Sequence, residues 1–144
     1  MNCLGCQLAN HQRTVYLIWE YEDVSCILDY MPFNEGHVLI LPKRHARFLD
    51  DLDEAAASSV FQAAKLVTRA IRELYQPDGI TVCQNGGVID ELTHFHLHII
   101  PRYEGQDFAE FYKEDLDPVP LEAAVLEEVR MKLSEKMRIC EMDE

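Results

Sequence analysis

The chain has 144 residues, a length that fits one compact domain around a single hydrophobic core. Apolar residues make up 48% of it and charged residues 27%, which excludes an intrinsically disordered protein. Because 26 acidic residues face 13 Lys and Arg residues, the net charge of -13 argues against binding to nucleic acid phosphates. No apolar run is long enough for a membrane span, and residues 1–6 lack a signal-peptide pattern. We therefore expect a cytoplasmic protein without nucleic acid or membrane partners.

Three β-strands are predicted in the first third of the chain. Residues 14–19 and 24–28 are rich in β-branched and aromatic side chains, and the short polar segment between them predicts a hairpin. A loop with Pro, Asn and Gly over residues 29–36 leads to a third strand at residues 37–41, which Pro42 ends.

A long helix and two further strands follow. Apolar residues recur every three or four positions between Asp51 and Tyr75, and Asp51 with Glu54 resembles a capping pair. Residues 80–83 and 94–100 are predicted as the fourth and fifth strands.

The last part of the chain is acidic, and two prolines precede a second helical pattern over residues 121–133. The expected fold is therefore an α+β architecture with an antiparallel meander of about five strands. One long helix lies between strands 3 and 4, and another helix lies at the C-terminus.

Three histidines, His94, His96 and His98, alternate with apolar residues in the predicted fifth strand. Because strand side chains alternate between two faces, the three imidazoles are expected to share one face. Imidazole is a nucleophile at neutral pH, and it can also carry protons or bind a metal ion. The spacing indicates a functional site without choosing between these roles.

Cys3 and Cys6 form a two-spacer thiolate pair, which is half of a tetrahedral zinc site, and Gly5 suits the tight turn of such a loop. A redox pair requires a preceding strand, and none fits before residue 3. We therefore favour a metal site over a redox site.

The segment His94–Ile100 resembles the signature of the histidine-triad (HIT) family of nucleotide hydrolases and transferases. The resemblance covers about residues 3–103 and is strongest to the Hint-like nucleotide hydrolases that contain zinc. It implies a single HIT-like domain over residues 1–144, with its core at about 3–103 and an acidic extension with a helix over 104–144.

The resemblance also implies the roles of individual residues. His96 would attack the α-phosphorus of a nucleotide, and water would hydrolyse the resulting nucleotidyl-histidine. His98 would line the phosphate site, where backbone N–H groups near Gly86 also bind phosphoryl oxygens. Asp29 matches the acid that holds the ribose hydroxyls, and His37, eight residues later, matches the strand histidine beside the phosphate.

The loop before the triad departs from the family pattern. Many members have a Gln that contacts the phosphate, and this chain has Asp90 in its place. A carboxylate beside a phosphate is repulsive unless it is protonated, turned away or bridged by a cation. We expect Asn85 or Gln84 to take over the amide role, and Thr93 to donate a hydrogen bond to the leaving group.

Some family members and the related galactose-1-phosphate uridylyltransferases close the cysteine pair with two histidines. The resemblance therefore implies a structural zinc ion with no open coordination position, and no organic cofactor. The implied ligands are Cys3, Cys6, His45 and His94.

The predicted long helix also suggests a homodimer. Its apolar positions, such as Val60, Ala64, Val67 and Ile71, are expected to spread around more than one face. Family members join their subunits through this helix and the fourth strand, which implies a two-fold symmetric contact.

These observations predict a nucleotide phosphoramidase or nucleotidyl hydrolase, acting on purine (AMP) esters, amidates or dinucleoside polyphosphates. Two alternatives stay open. One is a metal-dependent hydrolase or oxygenase whose catalytic ion is bound by the face of His94, His96 and His98. The other is a nucleotide-binding module that uses the same pocket without turnover.

Overall fold

The protein is represented by a computed structural model, which describes residues 3–113 and 119–143. Pro118, the first of the two prolines before the C-terminal helix, lies outside the described residues. The strands are β1 (Leu17–Glu20), β2 (Val24–Leu28), β3 (Val38–Pro42), β4 (Gly79–Cys83) and β5 (Leu97–Arg102). The α-helices are α1 (Leu4–Ala9), α2 (Glu54–Tyr75) and α3 (Ala123–Met142).

The five strands form one sheet in the order β1-β2-β3-β5-β4, and every neighbouring pair is antiparallel. The predicted α+β fold with five antiparallel strands is confirmed. Helix α2 carries the chain from β3 to the edge of the sheet, and β5 then returns between β3 and β4. This return places the histidine-rich segment in the middle of the sheet, beside β3.

Helix α2 begins later than the capping pair at Asp51 predicts. Residues Leu49–Asp51 form a 3-10 turn, and the N-cap is Asp53, whose side chain accepts a hydrogen bond from the Ala56 backbone N–H. The helix ends at Tyr75, and its C-cap residue Gln76 has a left-handed φ of 49°. A bilayer-spanning helix is absent from residues 3–113 and 119–143, because each helix there is too short or too polar.

The apolar residues of α2 are buried within the chain itself. Val60, Ala64, Val67 and Ile71 are all between 0% and 9% exposed, and they share one core with the sheet and α3. These four residues therefore lie in the core of this chain and supply no free apolar surface on α2 for a second copy. The periodicity of apolar residues predicts which face of the helix they occupy. It does not predict which other element packs on that face.

Helix α3 packs into the same core as α2. Its inward-facing residues are nearly or fully buried, and they are Leu126, Val129, Leu133, Met137 and Cys140. The hydrophobic core therefore extends beyond residue 103. The assignment of residues 1–144 to a single domain stays a prediction.

The N-terminal cysteines belong to a short helix that the sequence pattern did not predict. The Cys3 side chain caps α1, and its sulfur accepts a hydrogen bond from the Cys6 backbone N–H at 3.3 Å. Gly5 lies inside α1, where an added Cβ would be only 2.1 Å from the Cβ of His94. Gly5 is therefore required by the close approach of His94 and not by a tight turn.

We expect Gly5→Ala to lower the free energy of unfolding by about 1–3 kcal/mol, because the added methyl group overpacks against His94. Gly79→Ala is the matched control, since nothing lies within 4 Å of its added Cβ. Urea unfolding at fixed zinc concentration measures both variants. Equal effects of the two substitutions would contradict this explanation of Gly5.

Candidate functional site

Three imidazoles lie in a row where β3 and β5 run side by side. His98 in β5 is paired with Leu39 in β3, and its ring centroid is 4.9 Å from that of His96. His37, which directly precedes β3, has its Nε2 atom 2.9 Å from Nδ1 of His98. The strand β5 begins at Leu97, so His94 and His96 lie in the segment that leads into it.

The hydrogen bonds of His96 assign its proton. Its Nδ1 atom lies 2.9 Å from the backbone carbonyl oxygen of His94, and the residue is only 5% exposed. A carbonyl oxygen only accepts hydrogen bonds, so the neutral ring carries its proton on Nδ1. The Nε2 atom therefore keeps its lone pair, which is the form that attacks an electrophile.

The same reasoning assigns the protons of His37 and His98. The backbone N–H of Phe33 donates to Nδ1 of His37 at 3.1 Å, so His37 carries its proton on Nε2. That Nε2–H donates to Nδ1 of His98, and His98 therefore presents an N–H donor at Nε2. Burial lowers the pKa of His37 well below its usual value and that of His98 to about 4, so both are neutral at pH 7.

Asp29 lies beside this row because β2 and β3 form a hairpin. The backbone N–H of Asp29 donates to the carbonyl of His37 at 3.0 Å, which explains their eight-residue separation. Oδ1 accepts a hydrogen bond from Met31 N–H at 2.9 Å, and Oδ2 lies 3.6 Å from Nε2 of His37. Desolvation by burial raises the pKa of Asp29 to about 6, so its charge titrates just below neutral pH.

The loop after β4 lies next to His98. Cys83, the last residue of β4, is paired with His98, and residues 84–87 follow directly. The Gln84 side-chain amide donates to the Asn85 carbonyl at 2.8 Å. Gly87 has a positive φ of 79° and starts a 3-10 turn. Gly86 precedes that turn, and a Cβ there would lie 3.1 Å from the Phe48 ring.

Thr93 adopts a left-handed backbone with φ of 52°, which is uncommon for a β-branched residue. Its hydroxyl donates to the Leu92 carbonyl at 2.7 Å, and the side chain is exposed. Its carbonyl oxygen lies 3.8 Å from the Cys3 sulfur. The left-handed backbone of Thr93 thus orients the chain so that His94, the next residue, lies beside the cysteine pair.

The structure brings the four predicted metal ligands together. Their donor atoms lie within 4.8 Å of one another, and they belong to Cys3, Cys6, His45 and His94. Nδ1 of His94 is 3.5 Å from the Cys3 sulfur and 3.4 Å from the Cys6 sulfur. Nδ1 of His45 is 3.3 Å from the Cys6 sulfur.

These separations fit one tetrahedral zinc ion. Bonds of about 2.3 Å to sulfur and about 2.1 Å to nitrogen place the two donors about 3.5 Å apart. Nε2 of His94 lies 2.7 Å from the Pro42 carbonyl, which assigns the proton to Nε2 and leaves the Nδ1 lone pair facing the thiols. The donor set and its orientation therefore suit a closed, four-ligand metal site.

The three triad histidines do not form a common ligand set. Among the described residues, His94 groups with the cysteines, whereas His98 groups with Asp29 and His37. His96 directs its Nδ1 to a carbonyl oxygen. The geometry therefore does not favour the alternative in which His94, His96 and His98 share a catalytic ion.

Two residues near the row were not assigned a role from the sequence. Phe111 packs edge-on against His37 and His98, with ring centroids 5.9 Å and 5.7 Å away. Arg102 holds this region in place, because its guanidinium donates to the Phe108 carbonyl at 2.7 Å. Sequence spacing carries no signal for a contact of this kind between a turn and a strand.

Asp90 also lies beside the histidine row. Its Oδ1 atom lies 3.4 Å from Nδ1 of His96, and its side chain is fully buried. The sequence singled out Asp90 as a departure from the family but gave no indication of its orientation. The carboxylate lies on the Nδ1 side of the His96 ring, which points away from Nε2.

Comparisons with known proteins identify the family of this chain. A family model described as the HIT domain matches residues 10–105. The adenosine 5′-monophosphoramidase hnt1 of Schizosaccharomyces pombe is 31% identical over 104 residues, covering 71% of this chain and 75% of that protein.

Two solved structures share the fold. A HIT-like protein from Bartonella henselae has a TM-score of 0.82 at 30% identity, covering 94% of this chain and 96% of its own. A zinc-bound histidine triad protein from Mycobacterium smegmatis has a TM-score of 0.78 at 27% identity, covering 100% and 99% of the two chains. The match to the HIT domain spans most of the sheet and α2, and the chain therefore belongs to the histidine-triad (HIT) family.

Proposed function

We propose that the protein is a nucleotide phosphoramidase or nucleotidyl hydrolase that acts on the α-phosphate of AMP esters or amidates. The observation that carries this proposal is the hydrogen bond from His96 Nδ1–H to the His94 carbonyl, which leaves Nε2 free to attack. The relationship to a yeast adenosine 5′-monophosphoramidase supports the AMP class of substrate.

The row of neutral imidazoles supplies the remaining chemistry. His96 Nε2 forms a bond to phosphorus as the leaving group departs, and water then attacks the nucleotidyl-histidine and releases AMP. His98 offers its Nε2–H to a phosphoryl oxygen, with further donors from the backbone near Asn85 and Gly86. These neutral donors suit an acidic protein whose net charge repels its anionic substrate. Thr93 stays a candidate donor to the leaving group.

Asp29 is proposed to bind the ribose. A vicinal diol offers two hydroxyl donors, and a carboxylate accepts both. Its position beside His37 supports a ribose site next to the proposed phosphate site.

The Cys/His cluster is proposed to hold a structural zinc ion. When bound, the ion would tie α1 to the segment that carries the triad, because its ligands come from both. His94 would then hold the metal through Nδ1 while its backbone carbonyl holds His96.

A homodimer and a cytoplasmic location complete the proposal. Strand β4 lies at an edge of the sheet, and its Val82 side chain is 53% exposed. Phe61 on α2 is 60% exposed, so both elements keep apolar surface for a second copy. Sedimentation at tens of micromolar protein distinguishes the dimer from a monomer.

We expect His96→Ala to abolish both AMP release and the covalent nucleotidyl-protein, because it removes the attacking atom. His98→Ala removes a donor and is expected to lower turnover by about a hundredfold to a thousandfold. Mass measurement of acid-quenched protein and assay of released AMP check both variants. His11→Ala, which alters an exposed histidine, should retain both signals. Binding of nucleotide by the wild type without any adduct or turnover would instead support the non-catalytic binding module.

Substrate affinity should depend on pH through Asp29. Its pKa is raised to about 6, so the carboxylate is ionised above that pH and protonated below it. We expect KM for an AMP ester to rise as pH falls from 7 to 5, since a protonated acid accepts the diol less well. The 2′,3′-dideoxy ester and the Asp29→Asn variant should both lack this dependence. A pH profile shared by the two substrates would assign Asp29 a purely structural role.

Purified protein is expected to contain one zinc ion per chain. Cys3→Ser and Cys6→Ser should lower metal content and Tm together, because metal binding is coupled to folding. Cys140→Ser serves as the control, since its buried thiol belongs to α3 and lies outside the cluster. Elemental analysis and thermal unfolding measure these effects. Chelation that stops turnover at once in folded protein, with recovery on zinc addition, would show a catalytic ion instead.

A further inference from the structure

We propose that Asp90 is a positioning residue whose carboxylate stabilises the positive charge that forms on His96 during nucleotidyl transfer. The proposal deepens the proposed function and rests on His96 as the nucleophile. It assigns a role to the residue that replaces the expected phosphate-contacting Gln.

The Asp90 carboxylate is buried, and its hydrogen bonding is incomplete. Its side chain has 0% exposure, and Oδ1 accepts one hydrogen bond, from the Leu92 backbone N–H at 2.9 Å. Oδ2 is buried and has no hydrogen-bond partner among the described residues. A buried carboxylate with incomplete hydrogen bonding is costly unless a cation lies nearby. The cationic form of His96 would be such a partner, because its Nδ1 lies 3.4 Å away.

The orientation of the ring separates this carboxylate from the substrate. Nδ1 and Nε2 lie on different sides of the imidazole, and Asp90 approaches the Nδ1 side. The phosphate must approach Nε2 to react. Asp90 is thus turned away from the phosphate. Its negative charge lies beside the nucleophile, and the two anions do not come into direct contact.

Formation of the N–P bond is the step in which positive charge develops on His96. The Nε2 lone pair of His96 forms the N–P bond while the P–O or P–N bond to the leaving group breaks. That bonding pair goes to the leaving atom, which takes a proton from water. His96 keeps its Nδ1 proton and becomes a nucleotidyl-imidazolium, so positive charge grows beside Asp90. A preorganised opposite charge lowers the barrier of such a step.

The second step reverses this change. Water attacks phosphorus and loses a proton to solvent, the N–P bond breaks, and its electron pair returns to Nε2. The imidazole is neutral again, so the carboxylate has stabilised the reactant of this step and not its transition state. Asp90 is therefore expected to accelerate formation of the intermediate and not its hydrolysis.

The expected loss of rate depends on the two groups that lie near Nδ1 of His96. The His94 carbonyl, at 2.9 Å, is the direct acceptor and holds the tautomer, whereas Asp90 is beyond ordinary hydrogen-bond distance. In Ser-His-Asp enzymes, where the carboxylate itself fixes the tautomer, its loss costs about 10⁴ in rate. Because the tautomer is held independently here, we expect a smaller loss, of about tenfold to a hundredfold.

The test compares Asp90→Asn with the matched control Glu91→Gln. Asn keeps the shape of Asp90 and an acceptor for Leu92 N–H but removes the charge, and Glu91→Gln removes the neighbouring, exposed charge. Rapid quench with an AMP ester measures the burst of leaving group, and decay of the isolated nucleotidyl-protein measures the second step. We expect Asp90→Asn to slow the burst about tenfold to a hundredfold, with decay not slowed and with the substrate concentration that half-saturates the burst rate within about twofold. Glu91→Gln should match the wild type.

The results that overturn the proposal are distinguishable. A wild-type burst rate in Asp90→Asn refutes the role of Asp90 alone, and so does a slower decay or a similar rise in the substrate concentration that half-saturates the burst rate. Absence of any nucleotidyl-protein in the wild type refutes the nucleophilic mechanism itself.

A measurement without turnover completes the test. In ¹⁵N-labelled protein, the Nδ1–H proton of His96 should stay observable in Asp90→Asn, because the His94 carbonyl still holds it, but should move upfield. An unchanged resonance would show that the carboxylate does not act on His96.

Discussion

The backbone carbonyl of His94 is the group on which the rest of the site depends. It accepts the Nδ1 proton of His96 and so fixes which nitrogen of that ring is free. The ring of the same residue donates from Nε2 to the Pro42 carbonyl and turns Nδ1 toward two thiols. One residue therefore sets both the geometry of the Cys/His cluster and the tautomer of His96. Gly5 makes this arrangement fit, because any larger residue there would meet the His94 side chain.

Backbone groups also set the proton positions in the rest of the row. The Phe33 N–H fixes His37, and His37 in turn fixes His98, so a chain of hydrogen bonds ends in a donor at His98 Nε2. Burial lowers the pKa values of His37 and His98 and keeps both neutral. Because the rings are neutral, each hydrogen bond fixes the tautomer of the next ring without repulsion between cations. The site thus offers oriented dipoles to an anion in a protein whose overall charge is strongly negative.

Local sequence patterns determined most of the fold and several site residues. Period-2 and period-3.6 patterns predicted the five strands, α2 and the C-terminal helix, because these periods follow directly from backbone geometry. The spacing of Asp29 and His37 reflects a single hairpin, so both reach the same place. The resemblance of the triad to a known family supplied the pairing of Cys3 with His94, which lie 91 residues apart.

Tertiary structure alone decided the contacts that no period encodes. The sequence placed Asp90 near the phosphate, whereas the folded loop directs it to Nδ1 of His96. Val60 and Ile71 looked available for a subunit contact, but α3 and the sheet bury them. Phe111 packs against His98 from a segment whose Phe108 carbonyl accepts a hydrogen bond from Arg102. The partner is six residues away for Asp90 and lies in another element for Val60 and Ile71. In both cases burial and orientation depend on how the folded backbone brings the two residues together, which the periodicity of the sequence does not encode.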